Sequence, residues 1–159
     1  MKALFKFAAM VFLVLVPSCS SMKTTPETMR KLALKVQAKD FTVVVNYADP
    51  MRMRQRYLDS EYDLRIKNDS AFAYLPYFGV AYSAPYPGGE GGIKFAEPME
   101  GYSMKSNRKK NGWDISFKVK GKEEAYHVYM NVFNNGSSTI VVNSYNRDAI
   151  TFIGEVSKP

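Results

Sequence analysis

The sequence predicts a mainly β domain: one N-terminal helix, followed by about eight or nine antiparallel strands in a curved sheet, a sandwich or a partial barrel. Two observations favour this fold class. Beyond Asp40, apolar residues recur at every second position, as in strands that bury one face. The turn-forming pairs Asn111-Gly112 and Asn135-Gly136 separate some of these runs, and such pairs are strong hairpin signals.

The first predicted element is a helix that begins after Thr25. Thr25 can accept hydrogen bonds from the first turn, Pro26 suits the first helical position, and Glu27 suits the positive end of the helix dipole. Apolar residues then follow at helical spacing and make one apolar face: Met29, Leu32, Ala33 and Val36. The helix is expected to end before Asp40 and Phe41.

Alternating runs predict the half-buried strands that follow the helix. Their apolar positions are Phe41, Val43, Val45 and Tyr47; Tyr62, Leu64 and Ile66; Trp113, Ile115, Phe117 and Val119; Tyr126, Val128, Met130 and Val132; and Ile150, Phe152 and Val156. Further chain reversals are expected at 67–70 and 120–122. There is no internal repeat and no second domain.

Two segments interrupt this alternation and are predicted to be loops. Residues 48–60 contain several Met and Arg residues, and residues 76–92 are rich in Gly, Pro and Tyr. Loops of such length are usually functional or disordered. The segment 78–92 is therefore predicted to be the working surface of the domain.

The first 18 residues are typical of an export signal. Lys2 and Lys6 flank the start of the chain, and residues 7–16 are uninterruptedly apolar but too few to span a bilayer. Three parts are therefore predicted: a signal peptide over residues 1–18, a tether over 19–25 and a single domain over 26–159.

Cys19 is predicted to be the site of lipid attachment. Residues 15–19, Leu-Val-Pro-Ser-Cys, resemble a bacterial lipobox, in which cleavage leaves the Cys to carry acyl chains such as palmitate. Ordinary cleavage after Ser20 is the alternative, because residues 18–20 also have the small-x-small form. Cys19 is the only cysteine, and acylation gives an exported lone Cys a role that a disulfide cannot.

Several stretches of the domain carry a resemblance to a known family. They are Tyr74-Leu75-Pro76-Tyr77-Phe78-Gly79, Ala81-Tyr82, Gly91-Gly92-Ile93-Lys94-Phe95 and Asn146-Arg147-Asp148-Ala149-Ile150, with Phe152, Gly154 and Pro50-Met51. From about Lys39 to Val156, the chain resembles the DUF4251 family of small exported proteins from Bacteroides-type bacteria. The resemblance implies a mainly β domain and an envelope location, and no established activity. The chain departs from the family at Val80, where Arg is expected, and at Phe152, where Tyr is expected.

Location and partners follow from the leader and the charge. The net charge of +7 falls by two when Lys2 and Lys6 leave with the leader, and a mildly basic protein is attracted to anionic headgroups. Residues 20–23 lack the acidic pair that surface-exported lipoproteins of Bacteroides-type bacteria tend to carry. By that resemblance, an outer-membrane lipoprotein facing the periplasm is expected. Its expected partners are the membrane and an unknown envelope protein or glycan; nucleic acid is not expected, because exported chains rarely meet it.

Catalysis has little support, and no catalytic residue, metal ligand or cofactor is predicted. The only histidine, His127, is expected on the polar face of a strand, and a lone imidazole builds neither a zinc site nor a nucleophile–base pair. Glu123 and Glu124 adjoin a turn and are expected to be a solvated pair. Residues 88–92 lack the GxxxxGK[ST] pattern, so a flexible loop is expected there. An envelope hydrolase or other enzyme with an unrecognised site is the alternative.

The aromatic segment is predicted to bind a partner through Tyr77, Tyr82 and Tyr86. Tyrosine combines apolar area with a hydroxyl, which suits sugar and peptide surfaces. The alternative is that the rings close one end of the core, which is favoured for Tyr74 and Phe78.

A basic cluster is predicted to contact anions. Arg52, Arg54 and Arg56 alternate with Met51, Met53 and Gln55, and guanidinium groups suit the phosphates of lipid or lipopolysaccharide. The alternative is a solvated edge that discourages pairing between sheets.

Overall fold

The computed structural model describes residues 25–82, 91–109, 111–122 and 124–157, except for the side chain of Ser60. The predicted signal peptide, Cys19 and most of the tether lie outside these residues, as do Tyr86 and Glu123. No helix within the described ranges is long and apolar enough to cross a membrane.

The predicted helix is present as α1 (Pro26–Gln37). The Thr25 hydroxyl accepts a hydrogen bond from the Thr28 N–H at 3.3 Å, which confirms the N-cap. Val36 is fully buried and Leu32 packs against the core, whereas Met29 in the first turns is exposed, so the predicted apolar face is confirmed only over the second half of the helix. Beyond the helix, Lys39 adopts a left-handed φ of 53°, and its carbonyl accepts a hydrogen bond from the Asn68 N–H at 2.9 Å.

Nine strands follow: β1 (Asp40–Pro50), β2 (Arg56–Lys67), β3 (Ser70–Leu75), β4 (Ile93–Pro98), β5 (Glu100–Asn107), β6 (Gly112–Lys120), β7 (Ala125–Phe133), β8 (Ser137–Ser144) and β9 (Ile150–Val156). They form one sheet in the order β4-β3-β2-β1-β9-β8-β7-β6-β5. Every neighbouring pair is antiparallel. The mainly β fold class is therefore confirmed.

The chain itself brings the two edges of the sheet together. The edge strands β4 and β5 are consecutive in sequence, with only Met99 between them. All neighbours in the sheet are antiparallel, so β4 and β5, the first and last of the nine strands, run in the same direction. The chain therefore pairs with β3 as far as the end of β4 and then continues, as β5, alongside β6. The Met99 N–H donates to the Asp69 carbonyl at 2.7 Å at this crossing. The sheet consequently curls into a nearly closed barrel.

The inner face of the barrel is the core, and the alternation of apolar residues is confirmed along most strands. The fully buried side chains include Val43, Leu64, Ile66, Ile115, Phe117, Met130, Ile140, Ile150 and Phe152. Tyr47 is an exception, because the register between β1 and β2 shifts between Val45 and Tyr47. This irregularity leaves Tyr47 exposed and buries Ala48 instead, so the expectation that Tyr47 faces the core was wrong.

The loop predicted over residues 48–60 is also wrong. Strand β1 continues to Pro50, a turn follows, and β2 begins at Arg56, so the segment is mostly a hairpin. The pair Ala48↔Arg56 extends the ladder between the two strands. Residues 51–57 are exposed on both sides of the hairpin, and therefore no apolar alternation marks them as strand and turn.

Candidate functional site

One end of the barrel, at which β1 ends and β9 begins, joins three segments that are far apart in sequence. We call it the rim and define it as Pro50–Arg56, Tyr77–Tyr82 and Tyr145–Asp148. The second and third segments pair through two backbone hydrogen bonds, from the Tyr82 N–H to the Asn146 carbonyl at 2.7 Å and from the Asp148 N–H to the Val80 carbonyl at 3.0 Å. Pro50 pairs with Ile150 across the sheet, which places the first segment beside the third.

Asp148 lies at the centre of the rim, and three predicted binding residues meet there. The Asp148 side chain is 5% exposed, and its carboxylate accepts a hydrogen bond from the Tyr82 hydroxyl. The Arg52 Nε lies 3.1 Å from its Oδ2 in an ion pair that lacks hydrogen-bond alignment. The Tyr77 hydroxyl donates to the Asp148 carbonyl at 3.1 Å. The sequence placed the tyrosines and the arginine in separate clusters, and Asp148 was not predicted as a site residue.

A second carboxylate, Glu124, is buried beside the first. The Arg147 Nη2 lies 2.5 Å from its Oε1, with the two side chains 11% and 3% exposed respectively. The Tyr126 hydroxyl donates to the same oxygen at 3.0 Å, and the Ser144 hydroxyl donates to the other oxygen. The expectation that Glu124 is solvated was therefore wrong. Its charge is buried because a distant arginine and two hydroxyl groups compensate it, which the residues next to the turn could not reveal.

Aromatic rings lie against the guanidinium groups of the rim. Arg147 lies over the Tyr77 ring at 4.8 Å from its centroid, and Arg56 lies over the Phe78 ring at 4.9 Å. Phe78 also packs against the core, which confirms the core alternative for that ring. Tyr74 instead is 48% exposed, so it does not close the core as favoured.

Tyr77 and Tyr82 differ in what acts on their hydroxyl groups. Burial raises the pKa of Tyr77, and the nearby Asp148 charge raises it further. The hydrogen bond to Asp148 is the main cause of the raised pKa of Tyr82. Both phenols therefore remain protonated at neutral pH. The Tyr77 hydroxyl donates to the backbone carbonyl of Asp148, and the Tyr82 hydroxyl donates to its carboxylate.

Every residue of the hairpin tip, which we define as Met51–Arg56, is exposed. Arg54 has no ion-pair or hydrogen-bond partner among the described residues, whereas Arg52 and Arg56 are held by Asp148 and the Phe78 ring. Met51 and Met53 are exposed on either side of Arg52. The tip can thus offer guanidinium donors and apolar side chains to an anionic partner.

Metal ligation requires several His, Cys, Asp or Glu side chains close together. Across the described ranges no group of three or more His, Cys, Asp or Glu residues could hold a metal ion. His127 lies on β7, where its Nδ1 is 3.0 Å from the Tyr129 hydroxyl. Burial lowers the pKa of His127, and the Lys118 charge lowers it further. His127 is therefore a neutral side chain of the strand face at pH 7.

Comparisons with known proteins agree with this fold. A family model described as "Domain of unknown function (DUF4251)" matches residues 24–156. Among solved structures, the chain is similar to the crystal structure of a DUF4251 family protein from Bacteroides eggerthii, with a TM-score of 0.62 and 15% identity. The similarity covers 82% of this chain and 87% of that one, and at this identity it shows the fold alone. The comparison with curated proteins found no match.

Proposed function

This chain belongs to the DUF4251 family, and from that premise we propose that it is a lipid-anchored cell-envelope protein that acts as a non-catalytic binding or accessory module. The observation that carries the proposal is the meeting of Tyr77, Tyr82 and Arg52 at the buried Asp148. A site whose side chains are held in place by buried partners binds with a smaller loss of conformational entropy.

The electrostatics of the rim support binding rather than catalysis. Asp148 and Glu124 both accept hydrogen bonds and each faces an arginine, so neither is placed as an exposed base. What the rim presents to solvent are guanidinium groups and tyrosine rings, which suit an acidic protein surface or a glycan. The proposed contact residues are Tyr77, Tyr82, Tyr86, Arg52, Arg54 and Arg56.

The envelope location is proposed from the N-terminal sequence. Cys19 would carry acyl chains after the signal peptide is removed, and residues 19–25 would link the anchor to α1. The absence of an acidic pair in residues 20–23 supports the periplasmic face of the outer membrane. Two acyl chains or one chain plus a second contact are needed for stable anchoring.

The anchor is tested by Cys19→Ala in cells, with fractionation and mass spectrometry of the mature N-terminus. The variant should leave the membrane fraction or stall in processing, whereas the wild type should carry an acyl mass on Cys19. Unchanged membrane association of the variant, together with no acyl mass on the wild type, would refute lipidation. Protease added to intact cells should leave the protein undigested if it faces the periplasm.

The binding role is tested by affinity capture from membranes, with mass spectrometry of proteins and of small molecules. Tyr82→Ala combined with Tyr86→Ala should abolish capture of the partner, while Tyr129→Ala, which removes an exposed ring from β7, should not. Capture that survives the double substitution would contradict the assigned surface. Turnover of a captured molecule would favour the enzyme alternative.

A further inference from the structure

We propose that the rim docks on the surface of an anionic lipid bilayer, through the apolar and basic side chains that it exposes. This inference rests on the proposed binding function and names the partner chemistry of the same end of the barrel. It is carried by the described parts of the rim, which are the hairpin tip, Tyr77–Tyr82 and Tyr145–Asp148.

The rim collects large apolar side chains that are exposed to solvent. Their exposed fractions are 95% for Tyr145, 67% for Met51, 61% for Tyr82, 46% for Met53 and 41% for Val80. Single exposed apolar residues are ordinary on a protein surface, but these come from three segments that the fold holds together at one end. Tyrosine is enriched at the boundary between headgroups and hydrocarbon, where its ring and its hydroxyl find suitable surroundings.

The charge of the rim complements an anionic surface. Arg52, Arg54 and Arg56 lie in the hairpin tip, and the segment from Pro50 to Leu58 contains no acidic residue. The rim carboxylate of Asp148 and the adjoining Glu124 are buried and paired, so they contribute little negative charge at the surface. Each basic side chain near an anionic leaflet adds attraction that decays within a Debye length.

Two of the three arginines have partners before any lipid arrives. Arg52 forms an ion pair with Asp148 and Arg56 lies over the Phe78 ring, so Arg54 is the arginine that lacks such a contact among the described residues. The methionines between these arginines distinguish a bilayer from a soluble phosphate, because a free anion offers nothing apolar for Met51 and Met53 to enter. A bilayer surface accommodates both kinds of side chain at once.

The test places an environment-sensitive fluorescent amino acid at Gln55, in the exposed hairpin tip, within the full-length chain. A matched probe replaces Lys109, in the exposed turn before β6 and therefore at the opposite end of the barrel. Both proteins are reconstituted in vesicles of phosphatidylcholine alone or of phosphatidylcholine and phosphatidylglycerol in equal parts. The probe at 55 should shift to shorter wavelength with the anionic vesicles alone, and the probe at 109 should not shift with either.

Two substitutions separate the roles of charge and apolar contact. Arg54→Gln should lower the ratio of docked to undocked protein about fivefold, because one basic residue is removed from the anionic surface. Met51→Ser with Met53→Ser should reduce the spectral shift at 55 as well. The matched control is Arg65→Gln, which removes an exposed guanidinium from β2 outside the rim and should leave the ratio unchanged.

Three results would overturn the inference: no shift at 55 with anionic vesicles, an equal shift with neutral vesicles, or equal effects of Arg54→Gln and Arg65→Gln. A shift that appears only when an envelope protein is added would assign the rim to that protein instead. If the probe at 55 stays in water while Tyr82→Ala with Tyr86→Ala still abolishes partner capture, the docking inference fails and the binding function stands. If the probe at 55 does not shift with anionic vesicles and partner capture also survives Tyr82→Ala with Tyr86→Ala, both the docking inference and the assigned binding surface are rejected.

Discussion

At the rim, segments distant in sequence are joined by two buried carboxylates with their arginines and hydroxyl groups, whereas at the opposite end α1 covers the core with apolar side chains. We call the latter the helix end and define it as α1 with Lys39, Asp69 and Tyr102. Its two ion pairs among the described residues join Lys31 to Glu27 at 2.8 Å and the Lys39 Nζ to Asp69 at 2.9 Å, and both carboxylates are largely exposed. Lys39 also lies 4.6 Å from the centroid of the Tyr102 ring.

The difference shows that the two ends depend on different terms of the free energy. Where apolar side chains close an end of the barrel, the free energy of unfolding falls gradually as those side chains are shortened, roughly in proportion to the apolar area that is no longer buried. A buried ionic cluster is costly unless every member is present, since removal of one partner leaves an uncompensated charge. We therefore expect loss of the Glu124–Arg147 pair, in which both side chains are buried, to destabilise the protein more than loss of a surface ion pair at the helix end.

The largest effect is expected for Glu124→Ala. This change leaves Arg147 buried without its carboxylate, and it should lower the free energy of unfolding by about 3–5 kcal/mol. Denaturant unfolding measures the loss, and Glu155→Ala, which removes an exposed carboxylate from β9, should change it by no more than about 0.5 kcal/mol. Equal losses in the two variants would show that the buried pair does not hold the rim.

The next effect tests the helix end. Val36→Ala removes two methyl groups from a fully buried site and should cost about 2 kcal/mol of unfolding free energy. Leu34→Ala, on the exposed side of the same helix, is the matched control and should cost much less. Alanine is the better helix former at both positions, so a loss as large for Leu34 as for Val36 would contradict the role assigned to the buried face of α1.

A smaller effect is expected on the pKa values of Tyr82 at the rim and Tyr102 at the helix end when Asp148 is substituted. Asp148→Asn should bring the pKa of Tyr82 down toward its ordinary value, because the hydrogen bond to Asp148 is the main cause of the rise. Burial alone raises the pKa of Tyr102 at the helix end, so that value should not move. The ultraviolet absorbance of tyrosinate, followed in wild type and in single Tyr→Phe variants, assigns each titration.

The same shifts fix the sign of the pH dependence. A tyrosine whose folded pKa lies above its unfolded value of about 10 contributes stability that is complete below that value. This contribution is lost as the pH rises through the raised folded pKa. Stability of the wild type should therefore fall above about pH 10, and Tyr82→Phe should reduce that fall. An identical alkaline slope in the variant would contradict the assignment.

The smallest effect compares two neighbouring arginines of the rim. Arg52→Gln should cost about 1 kcal/mol or less, since its ion pair with Asp148 is 60% exposed on the arginine side. Arg54→Gln should be neutral within about 0.5 kcal/mol, because no partner holds it among the described residues. Thermal unfolding compares the two, and a larger loss for Arg54 would indicate that the tip has a structural role.

Much of the fold follows from local patterns in the sequence, and the failures share one cause. The N-cap at Thr25 and the alternation in β6 and β7 were predicted, because one-sided burial imposes a period that local residues report. The errors at Tyr47 and over 48–60 occur at an irregularity and at a hairpin exposed on both sides. There the period is broken or absent, and local reasoning has no signal to use.

For the candidate site, the sequence identified individual side chains but not their assembly. Tyr77, Tyr82 and Arg52 were predicted as contact residues, and all three lie at the rim. The part played by Asp148 and by Glu124 was missed. Asp148 lies in the stretch 146–150 that carries the family resemblance, which was the one signal that could have pointed to it.

The sequence by itself determined the helix, the alternating strands β1, β2, β6, β7 and β9 and most of the side chains that they bury, since these depend on residues a few positions apart. Only the tertiary structure decided that β4 continues into β5 to close the barrel and that Arg147 neutralises Glu124. Both depend on contacts between residues distant in the chain, whose free energy is realised only after the intervening loops have closed. From its neighbours in sequence, a carboxylate beside a turn is therefore predicted to be solvated, and only the folded structure shows the arginine that contacts it.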